Sequence, residues 1–244
     1  MLRDEIEQLQ SIIGSSKNLV FFGGAGVSTE SGIPDFRSAE GLFVKYDNRQ
    51  YAPEEMVSHS FFMNHRNEFF DFYKNKMMYL DAKPNAAHIF LAKLEEAGKL
   101  KAIVTQNIDG LHQMAGSKTV YEVHGSIHRN YCMKCKAFYD AAYVKNSKGV
   151  PVCSKCGGDI KPDVVLYGES LDGRVISESI DAIGRADTLI IGGTSLAVYP
   201  AAGFVEHFRG ENLVVINKTS TMKTISNALL IQAPIGEVFS SLIV

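Results

Sequence analysis

Short apolar runs alternate with amphipathic stretches along most of this chain. The runs have the pattern of parallel strands covered on both faces, and they lie at residues 19–22, 101–105, 188–191 and 213–216. Stretches with apolar residues at helical spacing lie between them, for example at 86–97 and 174–186. Because strand and helix alternate, the pattern predicts an α/β fold with a doubly wound, Rossmann-like parallel sheet.

Residues 38–83 break this alternation. The segment contains no strand pattern and is rich in aromatic residues and methionine, which favours two or three helices forming a helical insert or lid.

The first residues of the chain place Leu2, Ile6, Leu9 and Ile13 on one stripe among charged residues, the pattern of an amphipathic helix and not of a signal peptide.

Glycines follow the first apolar run directly. Gly23, Gly24 and Gly26 predict a strand, a glycine turn and then a helix whose first amides face an anion such as a pyrophosphate. The match to a dinucleotide fingerprint is partial, since Thr29 stands where a third glycine is expected. A nucleotide-free α/β domain can also contain such a turn. Downstream turn formers lead Asp35-Phe36-Arg37 back to the same place, where Arg37 suits a phosphate and Phe36 a planar ring.

Polar residues follow two further strands. Residues 106–109, Gln-Asn-Ile-Asp, come after one strand, and Thr194-Ser195 come after another, next to a second pair of glycines. Ligands of open parallel sheets bind at the carboxyl ends of strands, although Asn and Asp are also common in ordinary turns. His124 ends a short strand at 119–123 and is a candidate general base near neutral pH.

The four cysteines of the chain form two pairs, Cys132-x-x-Cys135 and Cys153-x-x-Cys156. Each pair forms a knuckle that turns two thiolates toward one point, which is typical of a tetrahedral zinc site. Disulfides or a redox dithiol are the alternatives. Four protein ligands leave no open coordination position, so we expect one structural Zn²⁺.

Composition narrows the class of protein. The chain has 25 Lys and Arg against 27 Asp and Glu, so its net charge of −2 gives no reason to expect direct nucleic-acid binding. No apolar run approaches the ~20 residues of a membrane span, and we expect a cytoplasmic protein. The predicted layout is a Rossmann-like nucleotide-binding domain of residues 1–37, 84–125 and 162–244, with a small inserted subdomain made of a helical insert or lid at 38–83 and a zinc-binding module, a zinc ribbon, at 126–161.

Together these segments closely resemble the sirtuins, the NAD-dependent protein deacylases, in a minimal bacterial or archaeal form. The strings that carry the resemblance follow the family's order over nearly the whole chain: GAGVS at 24–28, GIPDFRS at 32–38, TQNIDGLH at 105–112, HG at 124–125, the four cysteines, YGE at 167–169 and GTSLAVYPAA at 193–202. The resemblance implies a protein lysine deacetylase that transfers the acyl group to ADP-ribose, with release of nicotinamide and O-acetyl-ADP-ribose.

The resemblance also implies roles for individual residues. Those implied to contact NAD are Ala25, Thr29, Phe36, Arg37, Gln106, Ile108, Asp109, His124, Thr194, Ser195, Asn217 and, through its backbone, Ile235. In the implied catalytic set, His124 is the base, Asn107 positions water and ribose hydroxyls, and Asp109 holds nicotinamide together with Ile108. The acyl-lysine protein or peptide adds a strand between Val198 and the segment Val164, Val165, Leu166, Tyr167.

Two details depart from or refine the family pattern. Gly23 replaces the threonine that commonly precedes Gly-Ala-Gly, so a hydroxyl contact there is lost. Tyr73-x-x-Lys76 only partly matches the Tyr-x-x-Arg pair of members that prefer acidic acyl groups, which favours acetyl and other neutral groups. A mono-ADP-ribosyltransferase, a non-catalytic NAD-sensing module and a Rossmann dehydrogenase are the alternative functions, and we expect a monomer.

Overall fold

A computed structural model describes residues 2–35, 51–219 and 228–244. Its larger sheet has six parallel strands in the order β3-β2-β1-β7-β8-β9. The bounds of these strands are β1 Leu19–Gly23, β2 Leu100–Thr105, β3 Val120–Glu122, β7 Thr188–Gly192, β8 Asn212–Ile216 and β9 Leu229–Ile231. The predicted doubly wound parallel sheet is therefore confirmed.

Helices cover both faces of this sheet. In the described residues the α-helices are α1 Leu2–Ser15, α2 Pro53–Met56, α3 His59–Asn64, α4 Arg66–Phe72, α5 Ala86–Glu96, α6 Leu111–Met114, α7 Ala141–Asn146, α8 Gly173–Arg185 and α9 Ile235–Ser240. Successive side chains of a strand point to opposite faces. Phe21 accordingly packs in a core with α1, α5 and α9, while Phe22 packs in a second core with α8. We call the sheet with these four helices the parallel-sheet body.

A second, smaller sheet is antiparallel, with the order β5-β4-β6. Its strands are β4 Gly125–Cys132, β5 Phe138–Tyr139 and β6 Ile160–Val164. This sheet and α7 share one hydrophobic core with α2, α3 and α4, in which Phe62, Phe69 and Tyr73 lie against Ile127 and Ile160. The predicted helical insert and zinc module thus pack as one unit, which we call the small body. The predicted domain boundaries remain predictions, and β6 crosses the one at 161/162.

Polar contacts also join the helical and zinc-module parts of the small body. The buried Lys74 ammonium donates to the Ser147 hydroxyl and to the Ser147 and Gly149 carbonyls at 2.6–2.7 Å. Lys145 in turn donates to the carbonyls of Lys74 and Met78. Burial lowers the pKa of Lys74, nearby Asp71 raises it and nearby Lys145 lowers it further.

The structure corrects the element predicted after the glycine turn. Instead of a helix, two short 3₁₀ turns follow β1, Ala25–Val27 and Thr29–Ser31, and Gly32 ends the second with φ = 82°. The turn formers at 31–34 stop the chain before an α-helix can form. Leu2 belongs to the predicted apolar stripe of the first helix, but 45% of its surface is exposed. In the described part of the chain, none of the helices has the length and apolarity required to cross a membrane.

Candidate functional site

Two glycine loops meet at the carboxyl end of the parallel sheet. The Gly24 amide donates to the Gly192 carbonyl at 3.1 Å, and the Gly26 amide donates to the Gly193 carbonyl at 2.8 Å. A Cβ on Gly26 would lie 2.8 Å from the Gly193 Cα, and Gly193 itself has φ = 61°. The loops after β1 and β7 can therefore approach only as glycine backbone, which forms a cradle of the kind a pyrophosphate requires.

Side chains from three strand ends surround this cradle. The Gln106 side-chain amide donates to the Thr194 hydroxyl at 3.1 Å, and the Asn217 side-chain amide donates to the Thr194 carbonyl at 2.6 Å. Ser195 follows Thr194 and is exposed. The structure thus brings together these four residues, which were predicted to contact NAD from strings separated by up to about half the chain.

The remaining predicted cofactor residues lie around the same rim. Ala25 is half-buried, and the Thr29 hydroxyl donates to the Gly26 carbonyl at 3.0 Å. Ile235 begins α9 next to Gly236, whose amide donates to the Glu30 carboxylate at 2.7 Å. This bond joins the loop after β1 to the end of the last strand. Phe36 and Arg37 lie outside the described residues.

A compact hydrogen-bond network occupies the end of β2. The Ser28 hydroxyl donates to the Asp109 carboxylate at 2.7 Å and accepts from the Asn107 side-chain amide at 3.0 Å. Ser28 and Asn107 are buried, and the backbone amide of Asn107 donates to the Thr105 hydroxyl at 3.0 Å. Two of the predicted catalytic residues are therefore fixed by Ser28, a contact that was not predicted. The available signal was its position directly after the glycine turn.

His124 lies at the end of β3, where the chain passes into β4. Its Nδ1 lies 3.0 Å from the Gln106 carbonyl. Because a carbonyl only accepts hydrogen bonds, Nδ1 carries the proton and Nε2 keeps the lone pair of a base. Burial lowers the pKa of His124, and the bond to Gln106 partly opposes that shift. The ring is therefore neutral and able to take a proton near pH 7.

Ile108 links this site to the small body. Its carbonyl accepts from the Ile127 amide at 3.0 Å, and its side chain packs against the core of the small body. The Asp109 carbonyl is likewise 2.9 Å from the His128 ring. The loop predicted to hold nicotinamide is thus fixed by both bodies.

The predicted substrate segment continues β6 beside His124. The Val165 amide donates to the His124 carbonyl at 3.0 Å, and the Tyr167 amide donates to the Val57 carbonyl at 3.0 Å. Val164 and Leu166 are buried and Tyr167 is exposed, while Val198 is half-buried on the loop before Pro200. Within the described parts of the chain, no group donates to the Val165 carbonyl. Most backbone groups of the segment are therefore hydrogen-bonded within the protein, and the Val165 carbonyl is the acceptor that stays without a donor among the described residues.

The four cysteines converge as predicted. Their sulfur atoms all lie within 4.8 Å of one another, with Cys132–Cys156 and Cys135–Cys153 separations of 3.5 Å. Sulfurs bound at ~2.3 Å to a tetrahedral zinc ion lie about 3.8 Å apart, whereas a disulfide requires ~2.05 Å. The thiol set fits one structural Zn²⁺. The Tyr139 hydroxyl donates to the Cys153 sulfur at 3.0 Å, so a residue outside the cysteine set orients one of the metal ligands.

The Tyr73 and Lys76 side chains do not line a common pocket. Tyr73 is fully buried and stacks on Phe69 at a ring-centroid distance of 5.6 Å, whereas the Lys76 side chain is exposed. Burial, followed by the charge of Asp163, raises the pKa of Tyr73. The hydroxyl therefore stays protonated, and the side chain contributes to the aromatic core.

Comparisons with known proteins agree with this geometry. A family model described as the Sir2 family matches residues 24–200. A protein of Clostridium perfringens named NAD-dependent protein deacetylase is 64% identical over 98% of this chain and 99% of its own length. A protein of the same name from Staphylococcus aureus is 42% identical over 99% of both chains.

Solved structures give the same result. A Sir2 protein with a p53 peptide and NAD⁺ superposes with a TM-score of 0.84 at 36% identity, covering 97% of this chain and 96% of the other. A Sir2 protein with a histidine-to-alanine replacement, bound to deacetylated p53 peptide and 3′-O-acetyl-ADP-ribose, has a TM-score of 0.86 at 37% identity, covering 96% of each chain.

Proposed function

The chain belongs to the Sir2 family, and we propose that its NAD-dependent protein deacetylation is carried out by His124, Asn107 and Asp109 at the carboxyl end of the parallel sheet. The activity itself is shared with curated relatives that match the whole chain. The observation that carries the residue assignment is the position of His124, whose Nδ1 is fixed by Gln106 beside the Ser28–Asn107–Asp109 network. A fixed neutral imidazole at the reacting centre suits a base.

The cofactor residues divide by chemistry. The glycine cradle with Ala25, Thr29, Thr194 and Ser195 would hold the phosphates and ribose hydroxyls, since it offers amides and hydroxyls. Asn217 and Ile235 lie along the same rim, and Phe36 and Arg37 are proposed to complete it. When bound, NAD supplies a ribose carbon from which nicotinamide departs. Ile108 and Asp109 would hold that leaving group, while Gln106 orients His124.

The acyl-lysine substrate is proposed to enter between Val198 and the segment 164–167. Solved relatives bind p53 and acetylated peptides, which supports a peptide in this groove. Val165 lies next to His124, since its amide donates to the His124 carbonyl. An acyl-lysine reaching the reacting centre would thus bring its side-chain amide N–H, and not its backbone, to the Val165 oxygen.

The His124 assignment is tested with His124→Ala. A general base contributes ~10² to 10⁴ in rate, so deacetylation should fall by that factor while the thermal midpoint and the affinities for NAD and acetyl-peptide stay near wild type. Exchange of labelled nicotinamide into NAD should survive better than deacetylation, because nicotinamide leaves before the base acts. The exposed His207 gives a matched control, His207→Ala, with wild-type rates.

Two outcomes would contradict this assignment. A folded His124→Ala protein with wild-type deacetylation removes His124 from the mechanism, and joint loss of folding and both ligands makes it a packing residue. Measuring free nicotinamide, deacetylated peptide and ADP-ribosylated protein in the same assay also separates deacetylation from mono-ADP-ribosyl transfer. A cytoplasmic location, a monomeric state and the absence of direct nucleic-acid binding stay predictions. Analytical sedimentation would test the oligomeric state.

A further inference from the structure

Glu169 is a partly buried carboxylate next to the proposed substrate segment, and it has no part in the mechanism above. One of its oxygens accepts from the Leu166 amide at 3.0 Å and from the Lys161 ammonium at 3.0 Å. The other lies 2.8 Å from Nδ1 of His59 in α3. Burial would raise the pKa of Glu169, but the Leu166 amide, His59 and Lys161 together lower it. The group is therefore a fixed anion.

The contact with Leu166 matters because of the peptide plane to which that amide belongs. The Leu166 N–H and the Val165 C=O are the two ends of one trans peptide unit, so they point in opposite directions. The N–H end faces Glu169. The C=O end consequently faces away from Glu169, on the side where the Val165 amide contacts His124.

We infer that Glu169 is a positioning residue for the substrate amide: by holding the Leu166 N–H, it turns the Val165 carbonyl toward the acyl-lysine N–H and strengthens that carbonyl as an acceptor. A hydrogen bond to one end of a peptide group polarises the other end, and an ionised acceptor does so more strongly than a neutral one. The inference rests on the proposed role of Val165. It adds a side chain outside the groove that determines how well the groove recognises an amide.

Neighbouring groups fix Glu169 in this role. Lys161 also donates to the Val164 carbonyl at 3.1 Å, and the His59 backbone amide donates to the Tyr167 carbonyl at 2.9 Å. The carboxylate and the segment that it orients are thus tied to the same two residues, one from β6 and one from α3. Rotation of the Val165–Leu166 plane would break the hydrogen bond between the Leu166 amide and Glu169.

The test compares two peptides that differ in one group. One carries acetyl-lysine, and the other carries the O-acetyl ester of 6-hydroxynorleucine, in which oxygen replaces the N–H. Binding is measured without NAD, so that no turnover occurs, for wild type, Glu169→Gln, Glu169→Ala and the control Glu178→Gln on α8. The change in the ratio of the two dissociation constants from wild type to a variant reports the N–H contact, because the weaker carbonyl acceptor of the ester and all other contacts of the peptides are common to every protein compared.

Wild type and Glu178→Gln should bind the amide about tenfold more tightly than the ester, the worth of one hydrogen bond. Glu169→Ala should bring that ratio close to one, and Glu169→Gln, which keeps an acceptor without the charge, should give an intermediate ratio. The thermal midpoint and NAD affinity should stay near wild type in the Gln variant.

The possible failures are distinguishable. Equal binding of amide and ester by wild type removes the proposed Val165 contact and the inference with it. A wild-type preference that persists in Glu169→Ala overturns the inference and leaves the proposed function intact. If the Ala variant does not fold, an unchanged ratio in Glu169→Gln overturns the inference by itself.

Discussion

The parallel-sheet body and the small body bury their apolar side chains in different ways. In the parallel-sheet body, a single strand such as β1 contributes side chains to the cores on both faces of the sheet, with Phe21 in one core and Phe22 in the other. The small body instead collects aromatic side chains of α3 and α4 and packs them against a short sheet from a distant part of the chain. It also contains all four cysteines.

This difference concerns what each body needs in order to fold. The parallel-sheet body has six strands covered by four helices, so its own burial of apolar surface stabilises it. The small body has only three strands among the described residues, and its thiols contribute to folding only when a metal holds them together. Perturbations should therefore affect the two bodies separately unless they act where the bodies join.

Removing a zinc ligand should produce the largest effect. Structural zinc contributes on the order of 10 kcal/mol to the folding of small metal-binding units, so Cys153→Ala should lose the metal and unfold the small body. Because the parallel sheet does not depend on the cysteines, its amides should remain protected in hydrogen exchange. Activity should be lost, since β6 carries the substrate segment.

The control for this prediction is Lys155→Met, which changes an exposed residue between two ligands. It should retain about one zinc per chain by mass spectrometry. Unchanged zinc in Cys153→Ala, or simultaneous loss of protection in both sheets, would contradict the separation of the two bodies.

Gly125→Ala should destabilise both bodies together, because Gly125 lies where they join. This glycine starts β4 directly after His124, with φ = 76°, and a Cβ there would lie 1.9 Å from the Asp163 carbonyl oxygen of β6. Left-handed strain and the clash together should cost about 3 kcal/mol, measured by urea unfolding.

A matched variant separates the two causes. Gly149 has φ = 65°, and a Cβ added there would meet no atom within 4 Å, so Gly149→Ala adds strain of about 1 kcal/mol without a clash. Equal losses in the two variants would show that the clash of a Cβ at position 125 with β6 adds nothing to the strain.

Acid should weaken the parallel-sheet body through two buried histidines. His88 and His112 lie with ring centroids 4.7 Å apart, and burial lowers the pKa of His88 to about 4 and that of His112 well below its usual value. Because the folded protein holds both rings neutral, their stabilising contribution is complete above pH ~6.5 and declines as the pH falls below that value. For His88 the loss at pH 5 is about 2 kcal/mol.

His112→Leu provides the comparison, since among the described residues neither ring nitrogen of His112 has a hydrogen-bond partner. The variant should lose less stability than wild type between pH 7 and pH 5, by urea unfolding in excess zinc. Both proteins share the cysteine site, so acid release of zinc does not enter the difference. Identical pH dependence would show that His112 does not contribute to the acid sensitivity.

Several parts of the fold and site followed from short stretches of sequence. The apolar runs predicted the strands around Phe21 and Phe22, because burial on both faces requires continuous apolar residues. The spacing of the cysteines predicted a common site, because a knuckle fixes two thiolates locally. The glycines at 24 and 26 predicted a close backbone approach, since no other residue allows it.

Other parts depended on register and long-range packing. Ser28 reaches Asn107 and Asp109 only because β1 and β2 pair in parallel with Gly23 beside Thr105. The sequence also predicted a helix after Gly26, where turn formers further along the chain allow only 3₁₀ turns. A small subdomain made of the zinc ribbon and the helical lid was predicted, but not which of their side chains meet, because aromatic spacing shows which face of a helix is apolar and not which distant element covers it.

The sequence by itself thus determined the strand pattern, the glycine cradle, the cysteine set and, through family resemblance, the chemistry. Only the tertiary structure decided which backbone groups near His124 remain available, since the Leu166 amide donates to Glu169 while no described group donates to the Val165 carbonyl. The physical reason is the range of the forces involved. Periodicity and turn chemistry act within a few residues, whereas the direction of a peptide plane depends on partners brought together by folding.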